Sequence, residues 1–139
     1  MTTLVDTSFL VSLANPREHS HRKCLAVAQS IRTTLLIPVT VLPEVTYLIA
    51  DRLGHRAMRQ FVHSTRNPTW TFVPLLDSDL ERAAELLDQY YDTKLDFVDA
   101  TLIAMAERLN ARRILTLDRR HFELIRPRHC PAFELLPSL

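Results

Sequence analysis

An α/β domain with a mainly parallel sheet covered on both faces is the fold this sequence predicts, on three observations. Short apolar runs at 2–5, 35–37, 69–73, 113–116 and 132–136 alternate with longer segments of helical periodicity. At 139 residues, 47% of them hydrophobic, the chain can bury one core and is too short for two ordinary domains. It contains no repeat, low-complexity tract or linker, so residues 1–139 read as a single domain.

The run 2–5 ends on Asp6, and Thr7-Ser8-Phe9-Leu10-Val11 has the look of a helix start with Asp6 as a preferred N-cap. After Asn15-Pro16, residues 19–32 read as a helix with Cys24, Leu25, Ala28 and Ile31 inward. Strand 35–37 is closed by Pro38, and Thr40 is placed to cap the next helix. There Val41, Glu44, Val45, Leu48 and Ile49 form one stripe, and Pro43 is tolerated in the first turn. Gly54, the single glycine, stops that helix. Helix 55–64 breaks at Asn67-Pro68 and strand 69–73 follows. Asp77-Ser78-Asp79 opens a helix through Tyr91, with Leu80, Ala83, Ala84, Leu87 and Tyr90 or Tyr91 inward and its acids outside. In 98–109, Val98, Leu102, Ile103, Met105, Ala106 and Leu109 recur at helical spacing, so this helix is pressed into the core. Asp99 heads it, three, four and seven positions before Leu102, Ile103 and Ala106, and so shares its buried face. Strand 113–116 then leads to Asp118, and 132–136 is a last short strand.

Composition excludes several functions. A single glycine rules out a phosphate-binding P-loop and a dinucleotide fingerprint. Cys24 and Cys130 have no metal-ligand spacing and read as two reduced thiols. His19 and His21 point in different directions on a helix, which argues against a shared metal. With no leader-like N-terminus and no run long enough to cross a bilayer, a cytoplasmic protein is expected. The net charge of +1 hides basic stretches at 52–66 and 112–128 around an acidic one at 77–99. Arginine outnumbers lysine, which suits phosphate binding because the guanidinium fork offers paired donors; solvated helix faces explain the same pattern.

Four acids stand where strands end or helices begin, or interrupt an apolar face: Asp6, Glu44, Asp99 and Asp118. Singly each has a plain explanation, with Asp6 and Asp99 as caps, Glu44 as an edge residue and Asp118 as a turn former. Brought together, their like charges would oppose folding unless a divalent cation sat among them. Hard oxygen ligands suit Mg²⁺ or Mn²⁺, and a carboxylate-held cation with open positions is the usual apparatus for phosphodiester hydrolysis.

Leu4-Val5-Asp6-Thr7-Ser8, Pro38 through Glu44-Val45, Val98-Asp99-Ala100 and Leu115-Thr116-Leu117-Asp118-Arg119-Arg120-His121-Phe122 together resemble the signature blocks of PIN-domain nucleases, most closely VapC-type toxins of toxin-antitoxin pairs. The resemblance spans the chain in the right order. It implies a three-layer α/β/α PIN-like domain and a Mg²⁺- or Mn²⁺-dependent endoribonuclease neutralised by a cognate antitoxin. It also implies Asp6, Glu44, Asp99 and Asp118 as the acidic quartet, with Thr7, Ser8 and Thr116 as supporting hydroxyls. Asp96, one turn before Asp99, is expected not to be a ligand. Arg119, Arg120 and His121 adjoin Asp118 and are the expected RNA phosphate contacts. A homodimer is expected, partly from the resemblance and partly from the apolar residues between Val41 and Val62.

Rival readings fail on particular residues. A receiver domain needs paired acids after its first strand, and an Asp-x-Asp phosphatase needs an acid at position 8; here Asp6 is followed by Thr7-Ser8. A catalytically silent PIN-like module for RNA binding or assembly is the remaining alternative, and the presence of all four acids speaks against it. Six histidines also raise the possibility of 2′-hydroxyl activation by a general base, which the products of cleavage distinguish from hydrolysis by water.

Overall fold

Five short strands, β1 (Thr3–Val5), β2 (Leu35–Pro38), β3 (Trp70–Val73), β4 (Arg113–Leu115) and β5 (Glu134–Leu136), pair in parallel in the computed structural model, which describes residues 1–138. Their order is β3-β2-β1-β4-β5. A three-residue strand has too little surface to persist alone, but β1 is flanked on both sides: Leu4 sits between Leu36 of β2 and Ile114 of β4. Thr3, Leu4 and Val5 are each 0% exposed, as the continuous apolar run requires.

Seven α-helices connect the strands among the described residues: α1 (Thr7–Ala14), α2 (His21–Ser30), α3 (Leu42–Leu53), α4 (His55–Ser64), α5 (Asp77–Gln89), α6 (Phe97–Leu109) and α7 (Arg120–Leu124). They fall into two packed sets. Helix α1 meets α2 and α3, and α3 meets α4, whereas α5 packs on α6 and α6 on α7. Right-handed crossovers account for the division: the chain steps from β1 to β2 to β3 toward one edge, then crosses back to β4 and β5 at the other. Connections running in opposite directions must lie on opposite faces, which gives the expected three-layer α/β/α architecture. No helix among the described residues is long and apolar enough to cross a membrane.

Several local expectations are corrected. Helix α2 starts at His21, with His21 Nδ1 bonded to the Ser12 carbonyl at 2.8 Å, and Leu25 is exposed while Cys24 is buried. On α5 the buried stripe is Asp79, Ala83 and Leu86; Leu80 and Ala84 face solvent. Ala83 is buried, and Leu87 and Tyr90 pack against the core, as expected; periodicity identifies residues sharing a face and not how far that face is rotated toward the core, so Leu80 and Ala84 turn out while Asp79 and Leu86 turn in. Thr40 does not cap α3. It lies in a 3₁₀ turn (Val39–Val41) and bonds Thr101 Oγ1 of α6 at 2.9 Å. Since Thr101 donates to the Val98 carbonyl, Thr40 is the donor of this pair, and it ties the entrance of α3 to α6. Gly54 does end α3, at φ +97°, where an L side chain would be strained.

Asp79, expected outside, is 2% exposed and is held by the Arg108 guanidinium through two bonds of 2.9 Å. It also caps α5 by accepting the Leu76 N–H. Arg108→Ala would leave that carboxylate buried without its cation, so we expect a loss of about 2–3 kcal/mol in urea unfolding. A change below 0.5 kcal/mol would show that water compensates Asp79.

Candidate active site

In a doubly wound sheet, ligands collect beyond the carboxyl ends of the strands, at the point where the chain's winding reverses. Here that point lies between β1 and β4. Asp6 follows the last residue of β1, its N–H donates to the Leu115 carbonyl of β4 at 2.9 Å, and Thr116 follows β4. The two strand ends are stitched by hydroxyls. Thr116 Oγ1 donates to Asp6 Oδ2 at 2.7 Å and accepts the Asp118 N–H at 3.0 Å. Its proton being committed to Asp6, the 3.2 Å contact with Ser8 is donated by Ser8, which in turn accepts the Leu117 N–H at 2.9 Å. The other Asp6 oxygen accepts the Thr7 N–H at 2.7 Å, so Asp6 caps α1 and faces the site at once.

The remaining acids come from helix starts. Glu44 lies in the first turn of α3 and Asp99 in that of α6. Asp96, and not Asp99, is the N-cap of α6, its Oδ1 accepting the Asp99 N–H at 2.8 Å. That removes capping as an explanation for the buried Asp99, 5% exposed. A cleft of about 330 Å³ is lined by Asp6, Thr7, Ser8, Glu44, Asp96, Asp99 and Asp118. All four expected acids therefore meet in one cleft. Glu18 and Arg52 also line it and were missed. Arg52 was legible in hindsight, because Glu44, Leu48 and Arg52 recur at i, i+4 and i+8 on α3. Glu18 follows the α1 C-terminus and carried no signal.

Burial dominates the electrostatics. Asp6 is pushed up from 3.8 to about 6 by desolvation, opposed by its bonds from Thr116 and Thr7 and raised further by the charges of Glu44 and Asp118. Asp99 is pushed up to about 7 by desolvation and then by the Asp6 charge, against the bond from His121. Among the described residues no arginine or lysine pairs with Asp6, Glu44, Asp99 or Asp118. The Thr7 hydroxyl, buried in the cleft wall, has no hydrogen-bond partner among the described residues. A set of hard oxygens without a counter-charge fits a divalent cation. Among the described residues, ligand atoms of Asp96, Asp99 and His121 lie within 4.8 Å of one another, and Asp6, Glu44 and Asp118 line the same cleft.

The three expected RNA contacts part company. Arg119 is anchored by Glu123 at 2.8 Å and by the carbonyls of Leu135 and Pro137 at 3.2 and 3.0 Å. His121 is buried, 4% exposed, with Nδ1 at 2.8 Å from Asp99 Oδ2, so it cannot reach a phosphate on the surface. Arg120 alone is exposed.

An all-parallel five-stranded sheet with an acidic cleft at its switch point defines the class of protein. The family model of the PIN domain matches residues 3–126, which include every acid of the cleft, and the chain belongs to that family. Within it, the chain is similar to VapC proteins. It is 30% identical over 134 residues to Ribonuclease VapC26 of Mycobacterium tuberculosis, covering 96% of this chain and 99% of that one. The crystal structure of VapC20 of Mycobacterium tuberculosis, described as a sarcin-ricin loop cleaving toxin, aligns with a TM-score of 0.80 at 24% identity, covering 85% of this chain and 91% of that one. VapBC2 from Rickettsia felis, solved bound to a DNA fragment from its promoter, aligns with a TM-score of 0.70 at 17% identity over 97% of each chain. The two structural likenesses concern the fold.

Proposed function

We propose that this protein is an endoribonuclease toxin of the VapC type, dependent on Mg²⁺ or Mn²⁺ and neutralised by a cognate antitoxin. The observation that carries the reading is a cleft at the switch point in which two buried carboxylates, Asp6 and Asp99, lie beside Glu44 and Asp118 with no arginine or lysine ion pair among the described residues. RNA as substrate is supported by the name of the relative, Ribonuclease VapC26, and an antitoxin by the neighbour solved as VapBC2.

Asp6, Asp99, Asp118 and Glu44 would hold the cation. When bound, it supplies charge compensation and Lewis acidity for hydrolysis at neutral pH. The chain's own contribution is placement. Thr116 holds the Asp6 carboxylate and the Asp118 backbone in one arrangement, Ser8 locks Thr116, and Thr40 ties the helix bearing Glu44 to the helix bearing Asp99. Arg52 in the cleft wall and the exposed Arg120, two residues after Asp118, are the guanidinium groups that would meet a flanking phosphate.

Attack by water on phosphorus expels the 3′ oxygen of the upstream ribose and leaves a 5′-phosphate on the downstream fragment. Cleavage is therefore expected to need Mg²⁺ or Mn²⁺, to stop in EDTA, and to survive a 2′-deoxy substitution at the scissile nucleotide. A 2′,3′-cyclic phosphate formed in EDTA would replace this reading with histidine general-base chemistry.

We also propose a homodimer. A mainly apolar groove is lined by Leu42, Pro43, Thr46, Val62, Thr65 and Phe72, with Val62 48% exposed, and Tyr47, which follows Thr46 on α3, is 68% exposed, a surface that a small monomer would leave wet. Light scattering at micromolar concentration is expected to give twice the chain mass, and a monomer alone would remove the dimer.

A further inference from the structure

The two oxygens of Asp99 are bound unequally, and the difference assigns a role to His121. Oδ2 lies 2.8 Å from His121 Nδ1. A carboxylate accepts, so Nδ1 carries the hydrogen and the lone pair of the neutral ring sits on Nε2. The Arg120 guanidinium, which can only donate, stands 3.3 Å from Nε2. The nearer contact at each ring nitrogen specifies this tautomer, and the Thr93 carbonyl, which can only accept, lies farther from Nε2 at 3.4 Å. His121 is held in the first turn of α7, three residues after Asp118, and is 4% exposed, so the ring is fixed by its surroundings. The torsion that turns a carboxylate about its last bond is broad and does not by itself choose an orientation.

We propose that Arg120, His121 and Asp99 form a hydrogen-bonded relay that holds the Asp99 carboxylate in position for the divalent cation, with His121 a positioning residue. The proposal rests on the metal-site reading given above. Outer partners of this kind orient ligating carboxylates, and their loss typically weakens metal binding by about 10–100-fold. The relay also ties the start of α6, which carries Asp99, to the segment carrying Asp118, so it sets the relation between two ligands delivered by different elements. Ligation by His121 itself is the competing arrangement, since its nitrogen lies within 4.8 Å of the ligand oxygens of Asp96 and Asp99. With Nδ1 donating to Asp99, and Nε2 between the Arg120 guanidinium at 3.3 Å and the Thr93 carbonyl at 3.4 Å, neither nitrogen is open to a cation.

Calorimetric titration of Mn²⁺ into the EDTA-stripped full chain tests this with wild type, His121→Leu and His121→Asn. Asparagine places an amide N–H near the position of Nδ1 and keeps the donor; leucine keeps bulk alone. The dissociation constant is expected to rise about 10–100-fold in His121→Leu and to stay within about threefold in His121→Asn. Wild-type affinity in His121→Leu overturns the relay, and so does an asparagine variant as weak as the leucine one, which would make the imidazole a ligand. Wild type without Mn²⁺ binding overturns the metal reading itself. If His121→Leu does not fold, the ¹⁵N spectrum of the wild-type imidazole decides: the Nδ1–H tautomer supports the relay and the Nε2–H tautomer overturns it.

Discussion

Asp99→Asn is expected to reduce RNA cleavage by about 1000-fold or more, whereas Asp96→Asn keeps it within about threefold of wild type. The two residues lie one turn apart and both line the cleft, but they do different things. Asp96 caps α6 through Oδ1 and is exposed, and asparagine caps a helix as well as aspartate. Asp99 is buried on the inner face of α6, fixed by His121, and aimed into the site with Asp6. A neutral amide there retains shape and loses the charge that a cation requires. Cleavage of a short RNA under single-turnover conditions, with Mn²⁺ in excess, measures the difference. Equal losses in the two variants would make Asp96 a ligand too, which its grouping with Asp99 and His121 leaves geometrically open.

The same substitution is expected to stabilise the protein when divalent ions are removed. Asp6 and Asp99 titrate in the folded chain at about 6 and about 7, against 3.8 for an ordinary aspartate. Between those values the folded state retains protons that the unfolded chain has released, so stability falls as pH rises from about 4 to about 7 and levels off above. Asp99→Asn removes one of the two groups. In EDTA at pH 8 the gain is on the order of 2 kcal/mol, or several degrees in Tm for a chain of this length; near pH 4 it vanishes. With excess Mn²⁺ the order inverts, because binding stabilises only the chain that keeps its ligand. Thermal melts across pH with EDTA or Mn²⁺ measure all three. A variant less stable than wild type at pH 8 in EDTA would mean that the Asp99 charge contributes to folding, through His121.

Much of this site is legible in the sequence. Asp6 and Asp118 could be placed because a strand's end is marked by local sequence, and Asp99 because its spacing to Leu102, Ile103 and Ala106 put it on a buried face. The plain reading of Asp99 as a helix cap fails because Asp96 takes that place, and a cap is identified by a single backbone bond that periodicity does not resolve. Arg119, Arg120 and His121 are expected from the sequence to contact RNA phosphates because they adjoin Asp118, and only Arg120 is exposed. Burial of His121 depends on Asp99, 22 positions away in the chain, and nothing local to His121 announces that partner.

What the sequence by itself determined is the alternation of short strands with helices, the stop at Gly54, the chemistry of the acids, and the exclusion of glycine-loop nucleotide binding. These follow from interactions between residues a few positions apart, where backbone conformation and side-chain spacing are nearly the whole story. Only the tertiary structure decided which helix faces turn inward on α2 and α5, that Asp79 is buried against Arg108, and that the hydroxyls of Ser8 and Thr116 join the ends of β1 and β4. Strand order is set by pairings between residues far apart in the chain, whose combined burial outweighs any local preference, and it is this order that places the four acids around one cleft.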